Sequence, residues 1–210
     1  MVTNLINKLL GKDPHKDDPY WEYFLNRPMA DPKNLVMDVI TKSPGGGLFG
    51  QKLDVHDPKA MAGHCVQLVK FFGADFGGII RTDPNLVQIV VPDGISETDL
   101  LAPGEQLPDR YPYTIVSMVH WAFDAKQHPG MGGQLGRQKV AAANFHLRSY
   151  IREIGYEAIF ATPVSNQLAV KAGLATLDGQ GRITTSEFGR DVVWETVILT
   201  NLPMIPTAGG

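Results

Sequence analysis

The side chains that could support catalysis or metal binding are few and lie far apart in the chain. No two histidines have the H-E-x-x-H spacing of a zinc site on a helix. His120 ends an apolar run that predicts a buried strand, and open α/β sheets bind ligands at such strand ends, so His120 is a candidate site residue. His128 lies in a glycine-rich loop, as a lid residue or simply in solvent. The six histidines are His15, His56, His64, His120, His128 and His146.

Two other features could carry chemistry, and both have a structural alternative. The segment Gly130–Gly136 precedes a predicted helix, but it lacks the Gly-Lys-Ser/Thr of a P-loop and the G-x-G-x-x-G spacing. We interpret it as a mobile loop or as a backbone platform against a flat ligand. Cys65 falls on the apolar stripe of a predicted helix, which indicates a core position. The chain has no G-x-S-x-G nucleophile elbow.

The strongest signal is the C-terminal stretch 166–203. It predicts a helix, a glycine-punctuated crossing loop, a threonine-rich strand, a tight turn at Glu187-Phe188-Gly189 and a final apolar strand. Small side chains and free backbone groups beside hydroxyls suit a large planar ligand with a polar tail. The alternative is a plain sheet corner without a ligand.

Regular elements that could position these residues begin after residue 55. Residues 1–55 are rich in proline and glycine and predict an extended arm with one short helix near Tyr20–Leu25. Asp57-Pro58 is a helix-start signal, and apolar spacing carries that helix to Gly73. A long helix is predicted over Arg137–Ile154 and a short one over Val164–Ala172. Six strands are predicted: Asp75–Ile80, Leu86–Val91, Tyr113–His120, Glu157–Ala161, Ile183–Thr185 and Val192–Thr200.

This alternation of helices and apolar strands predicts an α/β or α+β sandwich. The strand Tyr113–His120 lacks strict polar alternation, which indicates burial on both of its faces. The connections 92–112 and 124–136 are predicted to be loops, because both are rich in proline or glycine.

Composition and charge exclude several classes of protein. The 210 residues are 43% hydrophobic and carry a formal net charge of −3, so a basic footprint for nucleic acid is missing. No stretch reaches the roughly 20 apolar residues of a membrane span. The first residues lack a secretory apolar region, and a cytoplasmic protein is expected. A single cysteine excludes an intramolecular disulfide and a Cys-rich zinc site within these residues.

Several blocks of this sequence resemble the cobalamin-binding domain of reductive dehalogenases and, more distantly, epoxyqueuosine reductases. In the C-terminal stretch they are AGL (172–174), GRITTSEFG (181–189) and TNLP (200–203). Upstream they are DPKAMAGHCVQLVKFFGADFGGI (57–79), YTIVSMV (113–119) and AAANFHLRSYIREIGYEAI (141–159). The blocks keep their order over roughly residues 55–203.

The resemblance implies a nitroreductase-like domain that binds cobalamin base-off with its nucleotide tail buried. It divides the chain into an N-terminal arm (1–55), a corrinoid-binding domain (56–203) and a tail (204–210). The cobalt would be carried by the corrinoid, with no metal ligand from the protein. Carried over by position, the cofactor contacts would be Thr162, Asn166, Gln167, Leu168, Ala169, Gly173, Leu174, Ile183, Thr184, Thr185, Glu187 and Phe188.

The sequence departs from that family in the groups that deliver electrons and protons. The family continues into a module with two Cys-ligated iron–sulfur clusters, whereas Cys65 alone can ligate neither. We therefore expect no iron–sulfur cluster in this chain and an electron donor in another one, either a ferredoxin-like protein or a reductase. The family's proton-donating tyrosine before the long helix is absent. The candidates for proton donor or anion clamp are Tyr111, Tyr113, His120 and Arg137.

The resemblance leaves three functions open. The chain could be a corrinoid-dependent reductase, a non-catalytic cobalamin carrier or processing protein, or a nitroreductase-like flavoprotein. Its arm could wrap a second subunit or pack on its own domain, and a homodimer is a further possibility because such folds often complete sites across a two-fold axis.

Overall fold

A computed structural model describes residues 38–43, 47–120 and 131–207 of the chain, together with Pro19. The short helix expected near Tyr20–Leu25, most of the N-terminal arm, the loop histidine His128 and the last three residues lie outside this described part. None of the described helices combines the length and the apolar character that a bilayer crossing requires.

Six helices and eight strands make up the regular structure of the described residues. The helices are α1 (Asp38–Lys42), α2 (Pro58–Phe71), α3 (Glu97–Leu100), α4 (Leu107–Arg110), α5 (Met131–Glu153) and α6 (Gln167–Lys171). The strands are β1 (Phe76–Arg81), β2 (Val87–Ile89), β3 (Tyr113–His120), β4 (Ala158–Pro163), β5 (Thr176–Leu177), β6 (Ile183–Thr184), β7 (Val192–Val193) and β8 (Val197–Thr200).

The main sheet is antiparallel and has the strand order β1-β3-β8-β4-β2. Of the two classes predicted, this architecture is the mixed α+β one, because every pair of neighbours in the order runs antiparallel. The rule that places ligands at the carboxyl ends of parallel strands therefore does not apply to His120. Strand β7 adds to the far end of β3, with Val119 opposite Val193 and His120 opposite Val192.

Both faces of the sheet are covered, as the composition of β3 predicts. Seven of the eight β3 residues are buried, and His120 at the end is half-buried. Successive residues of β3 pack on opposite faces of the sheet. Ile115 packs with α2 and α5, whereas Val116 packs with α6 and the segment 95–111. Since no face of β3 meets water, its apolar run needs no polar alternation.

The start of α2 is set by its cap, and the start of α5 differs from the sequence prediction. The Asp57 carboxylate accepts hydrogen bonds from the backbone N–H groups of Lys59 and Ala60 at 2.8 and 3.0 Å.

In contrast, α5 begins at Met131, so the glycine-rich segment that was predicted to be a loop forms its first turns. Gly136 is buried there, and tertiary packing outweighs the low helix propensity of glycine.

Two other predicted boundaries were wrong. The connection 92–112 contains the short helices α3 and α4 rather than loop alone. The final predicted strand is two strands, β7 and β8, with Trp194, Glu195 and Thr196 between them. Apolar β-rich composition continues through the break, so hydrophobicity could not reveal it.

Gly77 and Gly78 of β1 allow two layers to approach the sheet closely. A Cβ atom on Gly77 would lie 2.8 Å from Cγ1 of Val69 in α2. A Cβ atom on Gly78 would lie 2.7 Å from the carbonyl oxygen of Ala172, just after α6. The free edge of β1 is bonded as well: Thr207 N donates to Ile79 O at 2.9 Å, and Ile79 N donates to Thr207 Oγ1 at 2.8 Å.

Gly78→Ala should destabilise the fold by about 1–3 kcal/mol, because the new methyl group overpacks against backbone that cannot rotate away. Urea unfolding followed by circular dichroism measures this change. Gly63→Ala is the matched control, since Gly63 lies within α2 and a Cβ there would meet nothing within 4 Å. It should stabilise by about 0.5–1 kcal/mol. Equal effects of the two substitutions would contradict the packing described here.

Candidate functional site

Two parts of the C-terminal stretch, α6 and β6, meet at the His120 end of β3. Met118 of β3, Ala169 of α6 and Ile183 of β6 are buried together in one apolar cluster. Sequence analysis placed α6 and the loop that follows it in the candidate site, and the structure brings them to the same end of the sheet as His120.

The exposed side of this cluster is a partly solvent-accessible apolar surface, which we call the apolar wall. Its members are packed on the buried cluster yet are only partly buried themselves. A contiguous apolar surface left in contact with water is typical of a binding site. The apolar wall comprises Phe76, Leu174, Ala175, Leu177, Val192 and Trp194.

An aromatic stack extends the apolar wall at the end of β3. The rings of His120 and Phe188 are parallel within 11°, with centroids 4.1 Å apart. Phe76 meets Phe188 edge to face at 5.6 Å. The backbone N–H of His120 donates to Asp75 Oδ2 at 2.6 Å, which fixes the chain where β3 ends. The result is a flat aromatic surface beside the aliphatic one.

Side-chain hydrogen bonds stabilise the β5–β6 hairpin internally and join it to Asn166, the residue before α6. The Asp178 carboxylate accepts from the backbone N–H groups of Gln180 and Arg182 and from Arg182 Nε, at 2.9–3.0 Å. These bonds, those from the backbone first, lower the pKa of Asp178 below its usual value. Asn166 Nδ2 donates to the carbonyl oxygen of Gly181 at 2.9 Å. The predicted contact residue Asn166 therefore has a structural partner.

Thr185 builds the turn that presents Phe188. Its hydroxyl donates to Gly189 O at 3.2 Å and accepts from Phe188 N at 3.1 Å, while the backbones of Thr185 and Gly189 bond each other in both directions. Gly189 has a φ of 57°, a conformation that side chains other than glycine rarely adopt. Thr185 is one of the ligand contacts that the family resemblance implies, and its hydroxyl holds the turn that positions the aromatic ring.

The other predicted contact residues divide by exposure. Those at the surface can meet a ligand directly, whereas the side chains of the buried ones form the packing beneath it. Thr162 stands apart, since it is exposed and pairs with Gln88 of the edge strand β2. Exposed residues are Asn166, Gln167, Gly173 and Glu187; half-buried ones are Leu174, Thr184 and Phe188; buried ones are Leu168, Ala169 and Ile183.

The structure does not bring the four candidate catalytic side chains together. Tyr111 and Tyr113 lie at the start of β3, which at about 3.3 Å per residue is some 23 Å from His120. The Tyr111 hydroxyl donates to Leu100 O at 3.1 Å, and burial raises its pKa to about 12. Tyr113 is buried beneath the guanidinium of Arg81, 4.6 Å from its ring centroid.

Arg137, by contrast, lies at the same end as His120. Its Nε donates to a carboxylate oxygen of Glu195 in the break between β7 and β8. Glu195 follows Val193 by two residues, and Val192 lies opposite His120 across the β3–β7 pair. The guanidinium of Arg137 is half-buried, so an anion at this end would compete with Glu195 for it.

A buried hydrogen-bond network holds the break between β7 and β8 in place. Asn144 of α5 is fully buried; its Oδ1 accepts from the Ser117 hydroxyl at 2.6 Å, and its Nδ2 donates to Thr196 O at 2.8 Å. One amide thus joins α5, β3 and the segment that carries Trp194. The sequence pattern did not indicate Asn144, Trp194 or Phe76 as site residues.

Metal-binding and thiol chemistry are not evident in the part of the chain that the structure describes. Within residues 38–43, 47–120 and 131–207, no three His, Cys, Asp or Glu side chains come together as a metal site. Cys65 is fully buried on α2, and burial raises the pKa of its thiol to about 12. A thiol held protonated in the core is no nucleophile, in agreement with the interpretation of Cys65 as packing.

No family model and no curated protein matches this sequence. Among solved structures, the catabolic reductive dehalogenase NpRdhA superimposes with a TM-score of 0.62 and 18% identity over 89% of this chain and 26% of its own. A reductive dehalogenase described as suggesting a mechanism for B12-dependent dehalogenation gives 0.60 and 19%, over 89% and 26%. Epoxyqueuosine reductase from Bacillus subtilis gives 0.47 and 15%, over 72% and 48%, too low to support a shared fold.

The first two likenesses show that this chain has the fold of part of the reductive dehalogenases. It spans about a quarter of the length of those two chains. The resemblance stated from sequence motifs is therefore supported at the level of the fold.

Asn144→Ala should destabilise the protein by about 2–4 kcal/mol, because it removes the hydrogen bonds of one amide and leaves Ser117 Oγ and Thr196 O buried without it. The free energy of unfolding in urea measures this. Ser149→Ala is the control: its half-buried hydroxyl bonds only the Phe145 carbonyl of its own helix, and the change should stay within about 0.5 kcal/mol. An Asn144 variant as stable as the control would contradict the role of the network.

Proposed function

We propose that this chain binds a corrinoid against the apolar wall and the His120–Phe188 stack, and that it acts in a cobalamin-dependent reduction. The observation that carries the proposal is the partly exposed apolar surface at the end of β3, in a chain with the fold of part of the reductive dehalogenases. The motifs AGL and GRITTSEFG support it, because both lie beside this surface.

The residues present fit a corrinoid in their chemistry. A corrin ring is large and flat and carries neutral amide arms, so it needs apolar contact on its face and polar backbone at its edge. The apolar wall offers the first. The exposed glycines of the hairpin and of the turn after it offer the second: a Cβ on Gly179, Gly181 or Gly189 would meet nothing within 4 Å, so a ligand can reach the main chain there.

The proposed roles follow from where each side chain lies. Leu174, Trp194 and Phe188 would contact the ring, while Thr185 and Asn166 hold the turns that carry those contacts. His120 is the proposed proton donor, since its imidazole is half-buried at the edge of this surface. Arg137 would orient an anionic group. Tyr111 and Tyr113 have no proposed role in this step, because they lie at the other end of β3.

When bound, a corrinoid supplies cobalt in a strongly reducing and nucleophilic Co(I) state. Its electrons would come from a separate iron–sulfur protein, because the one cysteine of these 210 residues is Cys65, which is buried in the core. The protein's own part would be to cover one face of the ring, to exclude water and to place a proton donor.

A cobalamin carrier is the second candidate, and one observation favours it. None of the tyrosines within the described residues belongs to the apolar wall. The resemblance to reductive dehalogenases, which often carry a proton-donating tyrosine before the long helix, led us to expect one there. A carrier would hand its corrinoid to an acceptor protein, whereas a reductase would retain it through turnover.

Anaerobic reconstitution with cobalamin tests the proposal. The purified chain should retain cobalamin through gel filtration, seen as its visible bands in the protein peak. Trp194→Ala should weaken binding at least about tenfold, since it removes a large aromatic contact. Phe71→Ala is the matched control, because Phe71 is an 81% exposed aromatic residue of α2 outside the apolar wall; it should bind as the wild type does.

Other outcomes of the same reconstitution are informative. Retention of flavin instead of cobalamin would favour the flavoprotein, and retention of neither would overturn the proposal. If cobalamin binds, His120→Gln separates the two candidates. A reductase supplied with reduced ferredoxin and a halogenated substrate should lose turnover while it keeps its cofactor, whereas a carrier should show no turnover in either form.

A further inference from the structure

A cavity lies at the end of the sheet opposite the apolar wall, between the last turns of α5 and the segment 92–111. It has a volume of about 220 Å³, which corresponds to roughly seven water molecules at ~30 Å³ each. It opens beside Glu157 and Ala158 at the start of β4, close to the Tyr113 end of β3 and far from His120. Its lining combines apolar side chains with three arginines: Arg110, Arg148 and Arg152.

Arg148 differs from the other arginines of this lining because its side chain is almost completely buried. It is 2% exposed, and its planar group lies over the ring of Phe160 at 4.2 Å. Its Nη2 donates to the backbone oxygen of Ser43 at 3.1 Å, but its Nε is buried without a hydrogen-bond partner. Burial first, and then the positive charge of Arg152, lower its pKa to about 10. A buried cation in this setting costs free energy unless an anion offsets it.

The two carboxylates of the cavity are already engaged elsewhere. Glu157 receives a two-pronged contact from Arg110, with Nε at 3.1 Å and Nη2 at 3.2 Å. Asp99 accepts from the backbone N–H and the hydroxyl of Ser96 at the start of α3, at 2.9 and 2.6 Å. Among the described residues, therefore, no carboxylate pairs with Arg148.

We propose that this cavity binds a small organic carboxylate, whose oxygens bond the guanidinium of Arg148 and whose apolar body lies against Ile95 and Leu100. A guanidinium pairs with a carboxylate through a planar fork, and the guanidinium of Arg148 retains a donor, Nε, that no described residue uses. The apolar lining of Leu48, Pro92, Ile95 and Leu100 favours an acid with a hydrocarbon body over inorganic phosphate. This site is independent of the corrinoid proposal.

Calorimetric titration of the full chain tests this site with three probes. Cyclohexanecarboxylate should bind and should raise the melting temperature of the protein. Cyclohexanecarboxamide, which has the same shape without the charge, and inorganic phosphate, which has charge without an apolar body, should both bind at least about tenfold more weakly. Amide binding equal to that of the acid would overturn the role of the cation, and equal phosphate binding would overturn the role of the apolar lining.

Two variants and one control locate the binding. Arg148→Met keeps the approximate length of the side chain and removes its charge, and it should weaken binding of the acid at least about tenfold. Ile95→Phe leaves Arg148 in place and fills the cavity, so it should weaken binding of the acid to a similar extent. This variant tests the site if the Arg148 variant does not fold. Arg81→Met removes an exposed arginine outside the cavity and should leave binding unchanged. Undiminished binding by Ile95→Phe, or no binding by the wild type, would overturn the site.

Discussion

The buried amide of Asn144 is the interaction on which the candidate site depends most. It is a polar group in a layer of aliphatic side chains, and it is tolerated because both ends of its amide are bonded. Through it, the long helix, the central strand and the break between β7 and β8 are fixed to one another. The position of Trp194, and of the Glu195 that holds Arg137, follows from where that break occurs.

Much of the fold could be predicted from local signals. The bounds of β3 and the capped start of α2 agree with the sequence prediction, because a continuous apolar run and an Asp-Pro pair act through neighbouring residues. The start of α5 and the division of the last strand could not be predicted. In both cases the tertiary surroundings differ from what local sequence indicates: Gly136 is buried within the helix, and Asn144 of α5 donates a hydrogen bond to Thr196 O in the break that divides the apolar stretch.

The candidate site shows the same limit. Its hairpin and the helix before it were found from sequence, since they form one continuous segment. Phe76 comes from a strand some 110 residues earlier along the sequence, and only the antiparallel pairing of β1 with β3 places it beside Phe188. Tyr111 and Tyr113 were candidates for the same role as His120, but the extended strand β3 separates Tyr113 from His120 by its full length, and Tyr111 lies before that strand.

The bonds between Thr207 and Ile79 bear on how two copies of this chain could associate. An exposed strand edge has unpaired backbone N–H and C=O groups that can bond the same edge of a second copy. Strand β1 is one of the two outer strands of the sheet. Thr207 occupies both the donor and the acceptor of Ile79 that face outward. A continuous sheet across two copies at this edge would first require the C-terminal segment to detach, so any dimer formed with that segment in place must use a surface other than the edge of β1 at Ile79.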